Sequence, residues 1–303
     1  MLLKQTVSKS EKDWEDKFKS WSAGPSKTEE DRCENAIKMI KDAINASEKL
    51  KSKDIKIFLQ GSYRNKVNVR ADSDVDVGVV CNDVFFGDYP TGYTRDSFGH
   101  VEAKYTFSEF KNDIEKALIN KFGRDAVTRG NKAFDIKANS YRVEADVAPF
   151  MQHRRYKTDG SYLEGVQQFS DDRKKVINWP EQHYNNGVSK NSATSRKYKR
   201  TVRILKKLKN EMAANGHSHL DNIPGFLCEC LVWNVPNSQF NHSSFYDILR
   251  SCFVYLYREL GKSSSDEWGE VSELKYLFKG KQKWTKKQAR DFIQSAWNYV
   301  GYE

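Results

Sequence analysis

The sequence predicts an α+β fold, in which a small mixed sheet with flanking helices gives way to an almost wholly helical second part. Three observations carry this reading. Valines alternate with acids in Val75-Asp76-Val77, the period of a strand. Phe110, Ile114, Leu118 and Phe122 recur every four residues, as on one face of a helix. Past residue 190 the apolar residues keep helical spacing, as in Tyr198, Val202, Leu205, Leu208 and Met212.

In chain order, Trp14, Phe18 and Trp21 share one face of an opening helix. Ser26-Lys27-Thr28-Glu29 reads as a capping box, and Ile37, Ile40, Ile44 and Leu50 are the stripe of a long helix behind it. Residues 56–60 form a short β-prone run that stops at Gly61-Ser62, and Val75, Val77, Val79 and Val80 make a second strand. A helix over 108–122 precedes two strand-like runs, 133–137 and 141–147. Residues 151–191 read as a polar connection with turn signals at Asp159-Gly160 and Asn186-Gly187. Helices are expected over 192–215, 224–235, 243–260 and 285–300. The expected division is a first lobe over 1–190, N-terminal helices included, and a helical lobe over 191–303.

At 303 residues the chain has room for one large or two modest domains. Aromatic residues spread along its length argue for a packed core despite 30% charged residues. No stretch approaches the ~18 apolar residues of a membrane helix, and MLLKQTVSKSEKDWEDK lacks the apolar centre of a signal peptide, so a cytoplasmic protein is expected. Cys33, Cys81, Cys228, Cys230 and Cys252 are an odd, scattered set that reads as buried free thiols. The histidines supply no metal set: His217 and His219 lack a nearby third ligand, and His183 has no carboxylate partner at helical spacing. A net charge of +10 suits a polyanionic partner, either nucleic acid or nucleoside triphosphates.

The chemistry is concentrated between Gly61 and Val77. Residues two apart on a strand face the same side, so Asp74 and Asp76 present their carboxylates together. Such a pair calls for a hard divalent cation with oxygen ligands, such as Mg²⁺. The upstream Gly61-Ser62 turn lets amides and a hydroxyl approach a phosphate, and Asp72 reads as a turn residue. A third acid follows in Val143-Glu144-Ala145-Asp146-Val147, where alternation alone does not choose between Glu144 and Asp146. The combination is that of a two-metal phosphoryl-transfer site, with Asp74, Asp76 and the third acid as both metal ligands and catalytic residues.

Gly-Ser followed by Asp-x-Asp and a later strand Asp resembles the signature of the DNA polymerase β-like nucleotidyltransferase superfamily. Gly61-Ser62-Tyr63-Arg64-Asn65 with Asp72-Ser73-Asp74-Val75-Asp76 is similar to its bacterial cGAS/DncV-like branch (CD-NTases). Glu164-Gly165-Val166, Asn178-Trp179-Pro180 with His183, Tyr198-Lys199 with Val202-Arg203, and Leu231-Val232-Trp233-Asn234-Val235-Pro236 resemble the same branch, especially clade E. The resemblance spans roughly 58–236. It implies a polymerase β-like nucleotidyltransferase lobe plus a helical lobe, with the active site in a cleft. It also implies synthesis of a cyclic oligonucleotide signal from NTPs in anti-phage (CBASS) defence, and Asp146 as the third acid.

The resemblance further implies that Ser62 binds the β/γ-phosphates and that Lys199 binds the triphosphate, with Lys206, two turns further on, in reserve. Gly61 and Tyr63 join the nucleotide-binding set, although packing is the plainer role for Tyr63. Asn178 is the candidate reader of uracil, whose edge an amide can meet as donor and acceptor at once. The expectation is a monomeric cyclic dinucleotide synthase with two Mg²⁺ ions, Mn²⁺ able to substitute, and no nucleic-acid template or membrane. Its product is expected to contain uracil, as cyclic UMP-AMP or cyclic di-UMP, or else to be purine-only, such as cyclic di-GMP. The effector that responds to it is encoded elsewhere. The rivals are a template-free RNA or tRNA nucleotidyltransferase and an inactive RNA-binding protein of the same fold.

Overall fold

The structure, a computed structural model, describes residues 9–69, 74–280 and 282–303. Its elements in chain order are α1 (Glu11–Ser22), α2 (Lys27–Asn45), β1 (Ile55–Leu59), α3 (Gly61–Arg64), β2 (Val75–Asp88), α4 (Phe107–Phe122), β3 (Val127–Arg129), β4 (Phe134–Ile136), β5 (Ala145–Tyr156), β6 (Tyr162–Phe169), β7 (Lys175–Asn178), α5 (Pro180–Ala193), α6 (Lys197–Ala214), α7 (Gly225–Trp233), α8 (Phe245–Glu259) and α9 (Lys286–Val300). They form two compact units. One takes Pro25–Arg64 and the chain from β2 through Glu181. The other takes α1, the stretch that opens at Asn65, and Gln182–Glu303.

In the first unit the strands pair in the order β1-β2-β5-β4-β3, and β6 and β7 extend from the second half of β5. The β2–β5 pair is parallel and the others are antiparallel. Alternation assigns the two faces. Val75, Val77 and Val79 of β2, Val147 and Met151 of β5, and Phe134 and Ile136 of β4 are buried with Ile40 and Ile44 of α2 and Phe110, Ile114 and Leu118 of α4. Each such side chain contributes about 1.5–3 kcal/mol by burial, and a one-residue slip would turn the whole set outward. The intervening residues occupy the opposite face: Asp76, Gly78 and Val80 of β2, and Asp146, Ala148 and Phe150 of β5. The Phe58 ring lies over Gly78, where a Cβ would come within 2.3 Å of it.

In the second unit Trp14 and Phe18 of α1 are buried in one core with Tyr198 and Leu205 of α6, Phe253 of α8 and Phe292 of α9. That apolar face is why α1 groups with the helical unit. The division therefore differs from a single cut at residue 190, since the helical unit gains α1 and most of α5. No helix among the described residues is long and apolar enough to cross a membrane. All five cysteines are buried and free.

The ordered character of 151–191 is the main departure from the sequence reading. That stretch holds the end of β5, then β6, β7 and most of α5. Its buried polar residues hid it, because they pair with one another: His153 Nδ1 and Gln167 Oε1 are 3.1 Å apart, and both residues are buried. Asp159-Gly160 does turn the β5–β6 hairpin, with Gly160 at φ +83°. Asn186-Gly187 instead lies inside α5, where the Asn186 side chain donates to the Val271 carbonyl at 2.8 Å. Residues 141–144 are no strand, since the Asn139 side chain accepts from the Tyr141 and Arg142 amides and folds them into a turn. Leu50 is buried but follows α2 rather than belonging to it.

Candidate active site

Adjacent strands bring carboxylates from separate parts of the chain into one row. Asp76 of β2 stands opposite Asp146 of β5, and Asp146 stands opposite Asp135 of β4. Neighbouring strands are about 4.8 Å apart, and like charges placed opposite one another are destabilising. Asp146 registers this crowding, since its carboxyl is pushed up to about 7. Burial is the largest cause, followed by the charges of Asp135 and Asp76, a side-chain hydrogen bond with Asp135, and the charge of Asp74. Asp74 itself is exposed just before β2. Glu144 precedes β5 and is exposed, while its carbonyl accepts from the Val75 amide. Asp72 lies outside the described residues.

Gly61 completes the setting of Asp76. It has φ +64°, and a Cβ there would fall 1.8 Å from Asp76 Oδ2, so the carboxylate occupies the space that only glycine leaves. The Gly-Ser turn closes as the one-turn helix α3, with Ser62 half-buried. Arg64 donates to the Leu59 carbonyl at 3.2 Å and pairs with Glu181 at 2.7 Å. Tyr63 is 6% exposed in the core beside α2, and burial pushes its hydroxyl up to about 12. Its ring is a packing element and is not open to a nucleotide base.

In the helical unit, Lys199 and Lys206 lie two turns apart on α6. Lys199 is half-buried with its ammonium 5.6 Å from the Tyr184 ring centre. Burial lowers its pKa, and the charge of Glu229 opposes that shift. Lys206 is 7% exposed, and its Cε lies 3.3 Å from where a Gly225 Cβ would be, at the start of α7. His183 has the carboxylate partner that helical spacing alone does not supply: Glu229 of α7, at 2.9 Å. Asn178 ends β7, half-buried, with its Cα opposite Val166, which is itself opposite Gln152 of β5. By alternation it sits on the acid-bearing face, two strands over and six positions along β5 from Asp146.

The chain matches the family model of the cGAS/DncV-like nucleotidyltransferase C-terminal helical domain over residues 185–301, and that of the nucleotidyltransferase domain over 38–159. It is 44% identical to the cyclic dipyrimidine nucleotide synthase CdnE of Cecembia lonarensis, over 95% of this chain and 98% of that protein. The chain belongs to the cGAS/DncV-like nucleotidyltransferases. This nucleotidyltransferase is also 39% identical to a cyclic dipurine nucleotide synthase of Elizabethkingia meningoseptica, over 94% and 97% of the two chains. The solved structure of the Rhodothermus marinus CdnE c-UMP-AMP synthase with Apcpp and Upnpp superposes with a TM-score of 0.84 at 30% identity, covering 95% of this chain and 97% of that one.

Two residues of this nucleotidyltransferase escaped the sequence reading. Asp135 carried a usable signal, because Phe134-Asp135-Ile136 repeats the apolar–acid–apolar pattern of Val75-Asp76-Val77 and Ala145-Asp146-Val147. Glu229 carried none, since only the packing of α5 on α7 pairs it with His183. The acid row suits a divalent cation: its chemistry is all-oxygen, and Asp146 resists ionising beside its neighbours. Among the described residues no group of three or more His, Cys, Asp or Glu side chains is placed so as to hold a metal ion by itself. Mg²⁺ does not require one, because it is held by one or two carboxylates together with substrate phosphates.

The raised carboxyl of Asp146 has a pH signature. The unfolded chain releases this proton near pH 4 and the folded one near 7. The folded state therefore binds the proton more tightly, and the stability this provides is lost as pH rises from about 4 to about 7. Without metal, the melting temperature of Asp146→Asn is expected to gain on wild type across that window, measured by scanning fluorimetry in EDTA. Parallel curves would contradict this assignment.

Proposed function

We propose that this chain joins two NTPs into a cyclic dinucleotide with loss of pyrophosphate, and that its acid row is the metal site of that reaction. The observation that carries the reading is the cross-strand alignment of Asp76 with Asp146, with Gly61 cleared for the Asp76 carboxylate. Asp74, Asp76 and Asp146 would hold two Mg²⁺ ions, or Mn²⁺ in their place, which supply charge stabilisation at the α-phosphate and a more acidic attacking hydroxyl. Ser62 binds the β/γ-phosphates through its hydroxyl and amide, and Lys199 and Lys206 neutralise triphosphate charge. A ribose hydroxyl forms the new P–O bond as the bond to the β-phosphate side breaks. The linear dinucleotide then turns over and closes in the same way.

Uracil-containing products, cyclic UMP-AMP or cyclic di-UMP, are the first reading. The dipyrimidine and c-UMP-AMP synthases among the relatives support it, as does the amide of Asn178, which can donate to and accept from one base edge. A purine-only product such as cyclic di-GMP is the second reading, and the dipurine relative favours it. The enzyme would act as a cytoplasmic monomer in CBASS defence, with a separately encoded effector. A dead RNA-binding protein would gain nothing from anions placed where phosphates dock.

Incubating the protein with each pair of NTPs and Mg²⁺ or Mn²⁺, then measuring product mass and phosphatase resistance, tests the proposal. A small resistant species without any primer is expected. Extension of an added RNA, with no small product, would overturn it in favour of an RNA or tRNA nucleotidyltransferase. If Asn178 reads uracil, Asn178→Ala should lower the use of UTP about tenfold more than that of ATP.

A further inference from the structure

The chain leaves the sheet unit at Asn65, directly after the Gly-Ser turn and α3, and is back in it for β2, whose start carries the acid pair. In between, the strap 65–69 belongs to the helical unit. Val67 is fully buried in the core that holds Tyr198 and Leu205 of α6, and Asn65 and Val69 are buried as well. Lys66 is exposed and takes φ +56°, a left-handed conformation disfavoured for any residue with a Cβ. Asn68, 2% exposed, adds no polar anchor, since neither of its amide atoms is hydrogen-bonded among the described residues.

Arg203 of α6 supplies that anchor. Its guanidinium donates through Nε to the Ser22 carbonyl at 2.8 Å, through Nη2 to the same carbonyl, and through Nη1 to the Lys66 carbonyl. The fork thereby joins three pieces of the helical unit: α6, the C-terminal end of α1 and the strap. Hydrogen bonds from a charged donor are stronger than neutral ones, and the planar fork fixes both partners at once. Arg203 lies four residues after Lys199 and three before Lys206, so the three share one face of α6. The strap is therefore pinned to the helix at a level between the two lysines read as triphosphate ligands.

We propose that Arg203 is a positioning residue for catalysis: by holding the strap's backbone on α6, it keeps the Gly-Ser turn before the strap and the acid pair after it in register with Lys199 and Lys206. The proposal rests on the reading of the acids as the metal site and of the lysines as triphosphate ligands. Each of the three Arg203 nitrogens donates to a carbonyl, so the residue acts through the backbone and not on substrate. A strap freed from α6 lets the turn and the acids drift while the lysines stay on their helix. Alignment at the reacting phosphate then suffers more than binding does.

The test uses the full chain. Arg203→Lys keeps the positive charge but cannot hold both carbonyls with a planar fork. Trypsin cleavage after Lys66, followed by fragment mass, reads the strap directly and is expected to run about tenfold faster than in wild type. Turnover of NTPs should show kcat lowered about tenfold or more, with KM changed less than about threefold. Tyr302→Phe is the matched control, since it removes the bond from the Tyr302 hydroxyl to the Tyr246 carbonyl, 2.9 Å long, in the same core. It should lower the melting temperature and keep both the cleavage rate and kcat within about twofold. An Arg203→Lys enzyme with wild-type kcat, or a control whose kcat falls as far, would overturn the proposal. Should Arg203→Lys fail to fold, Val67→Ala loosens the strap from its apolar side, with a fall in kcat of about fivefold expected and none overturning the proposal. The two layers separate. A wild type that makes no cyclic product fails the proposed function, whereas faster cleavage without a loss of kcat fails only the positioning role.

Discussion

Asp76→Asn is expected to abolish product formation from every NTP pair while leaving the protein folded. The side chain keeps its shape but loses the charge that a dication requires, and turnover should fall by about a thousandfold or more, ~4 kcal/mol in the barrier. Stability should move the other way. Asp76 stands opposite Asp146 in register, and its charge is among the causes that raise the Asp146 carboxyl. Neutralising it relieves repulsion between facing strands. The melting temperature in EDTA should therefore rise, by about 2–4 °C for each kcal/mol recovered. A purified, active Asp76→Asn enzyme would reject the mechanism. A variant that is both inactive and unfolded would instead reduce Asp76 to a structural residue.

Gly61→Ala should be nearly as damaging for a different reason. Its φ of +64° costs an L-residue about 1–2 kcal/mol, and its Cβ would fall 1.8 Å from Asp76 Oδ2. Either the carboxylate or the α3 turn must shift, and a displacement of about 1 Å at a reacting centre costs about a hundredfold. Gly99 is the matched control, with φ +67° and nothing within 4 Å of its missing Cβ. Gly99→Ala should show the backbone strain in its melting temperature and keep its turnover. Equal losses of activity in the two variants would show that strain, not the crowding of Asp76, is responsible.

How far the site could be read in the sequence depended on whether local spacing carries its geometry. Asp74 and Asp76 are two apart where β2 begins, and Gly61-Ser62 follows closely on β1. Period-2 alternation predicts that the two acids face together. The choice between Glu144 and Asp146 was beyond alternation, because both would face the same way on a strand. It depends on where β5 begins, and the Asn139 turn sets that start. Tyr63 follows directly after the turn serine, and its ring belongs to the core beside α2, the plainer of the two roles its sequence suggests. In 151–191 the polar composition reads as a turn-rich connection, although Gln152, His153, Gln167 and Gln168 are buried in strands.

By itself, the sequence determined the α+β class, the helical second part, the capping box that opens α2 and the pair of acids at the head of β2. All of these follow from periods of two or 3.6 residues within a few turns of chain. Tertiary structure alone decided that Asp135 joins Asp76 and Asp146, that α1 belongs to the helical unit, and that Glu229 meets His183. Those facts depend on strand order and helix packing, which bring together residues tens to hundreds of positions apart. Burial of many apolar side chains at once selects such arrangements, and no local pattern encodes them.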